Sequence, residues 1–347
     1  MAERKRPSIR EVALMADVSV ATVSNVLGGR KMVTPTLAAR VNEAVKALGY
    51  QADRAASQLR SGRARVIAVL VPSLDNPFFT SIIAGIEQAV QSEGYDIIVA
   101  SSNNDGETER KRLSALLSWR PAGVMILPVD DRFAALEMLE ASESPFVVVD
   151  RLPLRLRADT VAVDNQHAAI LACNHLVALG HRDVLVVAST LKLANIRARI
   201  SGIRRAFRQA NLPEPKIVEA GLSLETASSQ LAGWLATNER PTGIIALTNF
   251  TTIGVIASLN QLGLRIPDDV SLVGFDDYVW MQAATPTITA IRQPVEQLGA
   301  QAWACLRERI EDGRTELRTL RLHCTLQVRG STARVGKSHR PITVNNS

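Results

Sequence analysis

Two sets of residues in this chain have types and spacings that could do chemistry. One is a row of polar groups and rings placed directly after short apolar runs. Ser73, Asp75, Asn76, Phe78 and Phe79 follow Val66–Val71, Ser101, Ser102, Asn103 and Asn104 follow Asp96–Ala100, and Asp150 and Arg151 follow Phe146–Val149. The row continues with Ser189 and Thr190, Leu222 and Ser223, Thr248 and Asn249, and Asp276 and Asp277. If the runs are parallel strands, ligands bind beyond their carboxyl ends. Carboxylates, amides and an aromatic wall converging there suit a polyhydroxylated small molecule, held by several hydrogen bonds and ring stacking. The same residue types also close turns and cap helices, so a place in the row is not by itself a ligand contact. The other set is Val20, Ala21, Thr22, Ser24 and Asn25, small or hydrogen-bonding side chains left on the outer face of a short helix. Such a surface suits the floor of a DNA major groove.

The second set needs a scaffold, and residues 8–31 supply one. Ser8 caps a first helix whose Ile9, Val12, Ala13 and Ala16 share a face. Asp17-Val18-Ser19 breaks it, and Ser19 caps a second helix from Val20, on which Val23, Val26 and Leu27 fall at i, i+3 and i+4 and face the first. Thr34 and Pro35 open a third helix with a Val41, Val45, Leu48 stripe, ended by Gly49. Residues 53–61, DRAASQLRS, are compatible with a helix but too few to be helical alone in water, and read equally as a linker. Charge follows the same division. Residues 1–62 hold ten Lys and Arg against five acids, a net +5 out of the chain's +6. Attraction to phosphate is the evident use of that asymmetry.

The first set needs strands. From Arg65 onward, β-branched runs alternate with amphipathic segments. Strands are expected at Val66–Val71, Asp96–Ala100, Val124–Leu127, Phe146–Val149, Val161–Val163, Val184–Ala188, Ile217–Glu219, Ile244–Leu247 and Ser271–Phe275. Helices fall near 78–92, 107–118, 132–141, 166–179, 197–210, 225–236 and 251–262. This makes two successive parallel α/β units with helices on both sheet faces, a two-lobed domain with a cleft between lobes. A helix at about 295–311 and strands near 288–291 and 318–328 remain to be shared between the lobes.

Other classes find less support. No G-x-G-x-x-G or G-x-x-x-x-G-K-[ST] loop follows a strand, so a nucleotide cofactor lacks its phosphate cradle. His167, His175, His181, His323 and His339 show no metal-ligand spacing, and the adjacent Asp276 and Asp277 do not by themselves define a reacting pair. No cofactor or metal is expected. The apolar runs are strand-sized, too short to span a bilayer, and Glu11 and Asp17 interrupt any secretory signal, so no membrane partner is expected. Cys173, Cys305 and Cys324 are isolated and read as reduced residues of a cytoplasmic protein. A solute-binding protein would account for the lobes but not for the basic head, and an α/β enzyme would need a catalytic constellation that the chain does not offer.

In order along the chain, EVALMADVSVATVSNVL, VTP, ALGYQADRAASQLRSGR, IAVLVPSLDNPFF, VVVDRLP, VAVDN, LGHRDV, RISGIRRAF, GLRIPDDVSLVGFDD, TPTITAIRQP and LQVRGST resemble the lactose-repressor (LacI/GalR) family of bacterial transcription regulators. The resemblance runs from Glu11 to Thr332. It implies an all-α helix-turn-helix head and a periplasmic-binding-protein-like effector domain, with a homodimer on a near-palindromic operator DNA. By position, Val20, Ala21 and Asn25 would meet base edges, and Ser8, Ser19, Thr22, Ser24 and Tyr50 would hold phosphates. The family very often has Arg where this chain has Asn25. Arg suits guanine and Asn adenine, so the operator is expected to differ at that base pair. Ala55, Ala56 and Leu59 resemble the family's hinge helix, with Leu59 wedged into a central minor-groove step.

For the cleft, the resemblance implies effector contacts from Phe78, Phe79, Asp150, Arg199 of the RISG motif, Asn249 and Asp276. Leu222 stands where the family often has a stacking aromatic, and Trp280 is the expected replacement ring. Arg151 and Arg199 together allow an acidic ligand. The effector is therefore expected to be a sugar, sugar acid or sugar phosphate, with a nucleobase or other non-sugar metabolite as the alternative. The expected layout is a head over 1–52, a hinge over 53–63, a ligand-binding and dimerisation domain over 64–332 and a flexible tail over 333–347. That tail has no leucine heptads for a tetramer.

Overall fold

The structure is a computed structural model. It describes residues 7–28, 33–50, 65–151, 153 and 156–336 and divides between Ala64 and Arg65 into two units. In the first unit, α1 (Ile9–Met15), α2 (Val20–Gly28) and α3 (Pro35–Leu48) enclose Val12, Ala13, Ala16, Val23, Val41 and Ala44. Ile9, Val26, Val45, Leu48 and Tyr50 pack around that core. Leu27 is a correction: it is 36% exposed and outside the cluster, because Val23 and Val26 alone fill the seam against α1. The turn between α1 and α2 puts Asp17 at φ 47°. Arg40 of α3 pins that turn, donating to the Ala16 carbonyl at 2.7 Å and to the Asp17 carbonyl and carboxylate at 3.1 Å each.

The second unit holds two six-stranded sheets. In the first lobe the strands are β1 (Val66–Val71), β2 (Asp96–Ser101), β3 (Gly123–Ile126), β4 (Phe146–Val149), β5 (Asp159–Val163) and, from far along the chain, β11 (Thr319–Leu322). Their order is β11-β5-β4-β3-β1-β2, parallel throughout. The second lobe uses β6 (Val184–Ala188), β7 (Lys216–Glu219), β8 (Gly243–Ala246), β9 (Ser271–Phe275), β10 (Thr289–Arg292) and β12 (Thr325–Gln327). Here the order is β12-β10-β9-β8-β6-β7, with only β12 antiparallel. Every residue of β3, β5, β6, β8 and β9 is buried, as strands covered by helices on both faces must be.

The helices of the first lobe are α4 (Pro77–Gln91), α5 (Gly106–Ser118) and α6 (Leu136–Ala141). Those of the second are α7 (Asn165–Ala178), α8 (Ala194–Gln209), α9 (Leu224–Thr237), α10 (Asn249–Gln261) and the short α11 (Val279–Ala283). The long α12 (Val295–Glu311) returns to the first lobe and packs along α4, β3, β4 and β5. The chain thus crosses between lobes three times, near Asp164, at Gln293-Pro294 and at His323-Cys324. The expected single strand over 318–328 is accordingly two strands in two different sheets. The expected helix over 132–141 starts only at Leu136. A turn precedes it, with Phe133 at φ 46° and the Asp130 carboxylate accepting the Arg132 N–H at 2.9 Å.

The tail is also corrected at its start. Ala333 donates its N–H to Ser271 Oγ at 3.0 Å, and Val335 donates to the Leu179 carbonyl at 3.1 Å. His181 bonds Thr242 Oγ1 and the Ala333 carbonyl at 3.0 Å each, so residues 333–335 are docked on the second lobe.

Candidate functional site

In the head, capping chemistry positions the outer face of α2. Ser8 and Glu11 form a capping box, with Glu11 Oε2 accepting the Ser8 N–H at 2.5 Å and the Ser8 hydroxyl at 2.8 Å. Ser19 Oγ accepts the Thr22 N–H at 3.1 Å and lies 2.9 Å from Thr22 Oγ1. Both serines and Thr22 therefore sit at helix N-termini, where backbone N–H groups and the helix dipole favour anions. Val20 and Ala21 are exposed, Ser24, Asn25 and Tyr50 half-buried. Ala55, Ala56 and Leu59 lie outside the described residues.

Between the lobes is a cavity of about 500 Å³. The first lobe supplies its aromatic wall. Asn76 Oδ1 accepts the Phe78 N–H at 3.1 Å, and Pro77 opens α4, so Phe78 and Phe79 are fixed by the helix start. Their rings meet edge to edge-on face, with centroids 5.4 Å apart. Asp150 and Asp276 follow β4 and β9, the third strands in the orders of their sheets, and both line the cavity. Both adopt positive φ, 67° and 86°. That conformation is costly for a side-chain-bearing residue and recurs at functional sites.

Arg199 of α8 lines the same cavity, and its charge acts on both aspartates. It is buried, with Nε donating to Asn165 Oδ1 at 2.8 Å, Nη1 donating to the Leu247 carbonyl, and its guanidinium 4.4 Å from the Phe275 ring centre. Asp276 accepts the Asn249 N–H at 2.8 Å on Oδ2 and the Gln293 amide at 2.5 Å on Oδ1. Asp150 Oδ2 lies 3.4 Å from Asn195 Nδ2 and 4.0 Å from Arg151 Nε. Burial pushes both carboxyls above the usual carboxylate range. Arg151 and Arg199 oppose the shift at Asp150, and Arg199, Gln293 and Asn249 oppose it at Asp276. Burial likewise lowers Arg151, whose Nη1 donates to the Pro128 carbonyl at 3.1 Å and also to that of Val129.

Four buried polar atoms of cavity-lining residues have no hydrogen-bond partner: Asp150 Oδ1, Arg151 Nε, Ser189 Oγ and Gln293 Oε1. Buried polar atoms are normally paired, so these are places a ligand would satisfy. The lobes also touch directly across the cleft. Asp131, in the turn after β3, accepts the Ala194 N–H at 3.0 Å and pairs with Arg197, both in the first turn of α8.

The cavity thus brings together Phe78, Phe79, Asp150, Arg199, Leu222 and Asp276. Asn249 and Trp280 are corrected. Neither lines the cavity, because the Trp280 indole N–H donates to Asn249 Oδ1 at 3.0 Å and the ring packs on the second lobe's own core. Asn249 acts from behind, through its N–H on Asp276. The aromatic that does line the second-lobe wall is Phe250, which sequence reasoning missed although it directly follows the expected Asn249. Asn195, Glu225 and Gln293 were missed too. Gln293 directly follows β10, a strand end that the sequence row left out, whereas Asn195 lies in the first turn of α8, away from any strand end. Asp277 turns away from the cavity and is tied to Arg292 at 2.6 Å and Arg329 at 2.5 Å. Among the described residues no group of three or more His, Cys, Asp or Glu is placed to hold a metal, and no helix is long and apolar enough to cross a membrane.

A helix-turn-helix head followed by a two-lobed ligand cleft defines the class of ligand-responsive, DNA-binding transcription regulators. Residues 8–53 match the family described as "Bacterial regulatory proteins, lacI family", and residues 173–332 match "Periplasmic binding protein-like domain". The chain is 33% identical over 332 residues to the HTH-type transcriptional regulator PtxS of Pseudomonas plecoglossicida, covering 95% of this chain and 96% of that one. It is 30% identical over 334 residues to the HTH-type transcriptional repressor PurR of Vibrio vulnificus, covering 94% and 99%. Among solved structures, the Lac repressor dimer bound to operator and the anti-inducer ONPF aligns with TM-score 0.85 at 25% identity, covering 95% of this chain and all of that one. The chain belongs to the LacI family of bacterial transcription regulators. Its partners are operator DNA and a small-molecule effector, and the relatives named are regulators, not enzymes.

Proposed function

We propose that the chain is a homodimeric repressor of carbohydrate-utilisation genes whose grip on a near-palindromic operator is set by a hydroxyl-rich small molecule bound between the lobes. The observation that carries this reading is the set of unpaired buried atoms, Asp150 Oδ1, Arg151 Nε, Ser189 Oγ and Gln293 Oε1, on residues that line one cavity with Arg199 and Asp276. Several fixed acceptors and one shared cation match the hydroxyls of a polyol. Arg151 gives its Nη1 to backbone carbonyls and holds its Nε 4.0 Å from Asp150 Oδ2, and the Arg199 charge acts on the two carboxylates Asp150 and Asp276. This balance supports a neutral polyol over a sugar acid or sugar phosphate. Binding that draws the two lobes together would shift the population able to hold DNA.

On the DNA side, Val20, Ala21 and Asn25 read base edges, while Ser8, Ser19, Thr22, Ser24 and Tyr50 contact phosphates. Residues 53–63 act as the hinge, with Leu59 entering the minor groove. Leu59→Ala then weakens operator binding without loss of the dimer or of effector binding. The effector reading is tested by a thermal-shift screen of the full chain against neutral sugars, sugar acids, sugar phosphates and nucleobases. A neutral sugar should raise the melting temperature progressively with concentration, as binding linkage requires. A shift produced only by acids, phosphates or nucleobases would contradict it.

A further inference from the structure

The charges around the cavity do not cancel. Four carboxyl groups line it, from Asp75, Asp150, Glu225 and Asp276, against the two guanidiniums of Arg151 and Arg199. Both cations are already engaged by the protein. Arg199 donates to Asn165 Oδ1 at 2.8 Å and to the Leu247 carbonyl, with its guanidinium against the Phe275 ring. Arg151 donates to the carbonyls of Pro128 and Val129 and lies 4.0 Å from Asp150 Oδ2. Their charge acts on the buried carboxyls, Arg151 and Arg199 on Asp150 and Arg199 on Asp276. Asp75, between β1 and α4, and Glu225, in the first turn of α9, have no such counterpart. Both are exposed, and among the described residues neither forms an ion pair. Bonds from its own N–H and from Ser223 hold the Glu225 carboxyl below the usual range, so it is ionised. The unpaired buried atoms lean the same way. Gln293 Oε1 and the ionised Asp150 Oδ1, on residues 4% and 3% exposed, can only accept, Ser189 Oγ can do either, and Arg151 Nε alone must donate. The cleft therefore asks for a ligand rich in donors and positive in charge.

Resting on the reading of the cleft as a polyol site, we infer that the effector is an amino sugar, whose hydroxyls meet the buried acceptors and whose protonated amine is held by Asp75 and Glu225. An ammonium carries three donors and no acceptor, and it is strongly hydrated. Two exposed carboxylates suit it, because the amine keeps part of its water there and avoids the full cost of burying a charge. The same exposure leaves the attraction open to screening by salt.

Titration calorimetry on the full chain at pH 6 tests the inference with glucose, galactose and mannose, each beside its 2-amino and 6-amino derivatives and the N-acetyl forms of those amines. For any parent sugar that binds, one of its free amines should bind roughly fivefold or more tighter, the combined effect of two modest exposed ion pairs. An amine that binds where its parent does not is the same result at larger size. The N-acetyl form, which removes the charge without touching the protein, should lose the gain. The gain should also shrink as salt rises from about 0.05 M to about 0.5 M, and in the Asp75→Asn, Glu225→Gln double variant the ratio of amine to parent should fall towards one. Amines no tighter than their parents, N-acetyl forms as tight as the amines, or a gain that salt or the double variant leaves unchanged would overturn the amine while leaving the polyol site standing. If parents, amines and N-acetyl forms all fail to bind, the polyol reading and this inference fall together.

Discussion

Replacing Arg199 with Met keeps the length and apolar stem of the side chain and removes the charge at the centre of the cleft. The loss can be worked from the contacts. Asn165 Oδ1 and the Leu247 carbonyl lose their donors in a buried setting, at about 1–3 kcal/mol each if nothing replaces them. Asp150 and Asp276 lose the cation that counters their burial. Removing one member of a buried charge cluster costs about 3–5 kcal/mol, a figure that already includes relief of the removed ion's own desolvation. A deficit of about 3 kcal/mol at pH 8 is therefore expected. Its pH dependence has a definite sign. Both carboxyls have raised folded-state values, so their contribution is full below the unfolded carboxylate range and is lost as pH rises through the folded value. Without Arg199 those values rise further, and the deficit of the variant should grow from pH 5 to pH 8. Urea unfolding of the full chain followed by far-UV circular dichroism at both pH values measures it. A deficit below about 0.5 kcal/mol at pH 8, or one that shrinks as pH rises, would refute the action of the Arg199 charge on the two aspartates.

Three further outcomes are expected. Glu109 is buried in α5, accepts the Val129 N–H at 2.6 Å, and is pushed by burial to about 7. Its raised value means that stability falls as pH climbs from the ordinary carboxylate range to about 7, by about 2–3 kcal/mol. Glu109→Gln keeps an acceptor for Val129 and should flatten melting temperature across that window, whereas parallel wild-type and variant profiles would reject the assignment. At Gly202 of α8 an added Cβ would lie 2.3 Å from the Gln166 carbonyl oxygen of α7. Gly202→Ala should therefore cost about 3 kcal/mol or more in denaturant unfolding, and a neutral substitution would show that the two helices part readily. Asn25→Arg should move operator preference from adenine towards guanine at one symmetric base pair, read by selection from random duplexes. An unchanged preference would remove Asn25 from the base-reading set.

Much of the fold was legible because burial dictates pattern. Strands covered on both faces are apolar at nearly every position, so Val66–Val71, Val184–Ala188 and Ser271–Phe275 stand out and have the expected limits. The assignment of α12, β11 and β12 to lobes was not legible. It depends on pairing across the crossovers, which leaves no local periodicity. The segment before Leu136 read as helix because its apolar residues fit, yet Phe133 at positive φ and the Asp130 carboxylate close a turn there. In the cleft, strand ends led to Phe78, Phe79, Asp150 and Asp276, since β-strand geometry alone delivers those residues. Trp280 misled because a free ring near the cleft is not distinguishable in sequence from one whose indole is bonded to Asn249. Gln293 follows β10 and was legible as a strand end, whereas Asn195 meets Asp150 only through the meeting of the lobes, an arrangement that no local spacing encodes.

Whether a molecule in the cleft governs DNA binding is tested most directly by fluorescence anisotropy. A labelled operator duplex, selected by the full chain from random sequence, is titrated at fixed salt with and without the saturating ligand found by thermal shift. A change in operator affinity of roughly 5- to 150-fold, the range of ordinary allosteric coupling, is predicted. A ligand that binds the cleft at saturation yet leaves operator affinity unchanged would contradict the coupling.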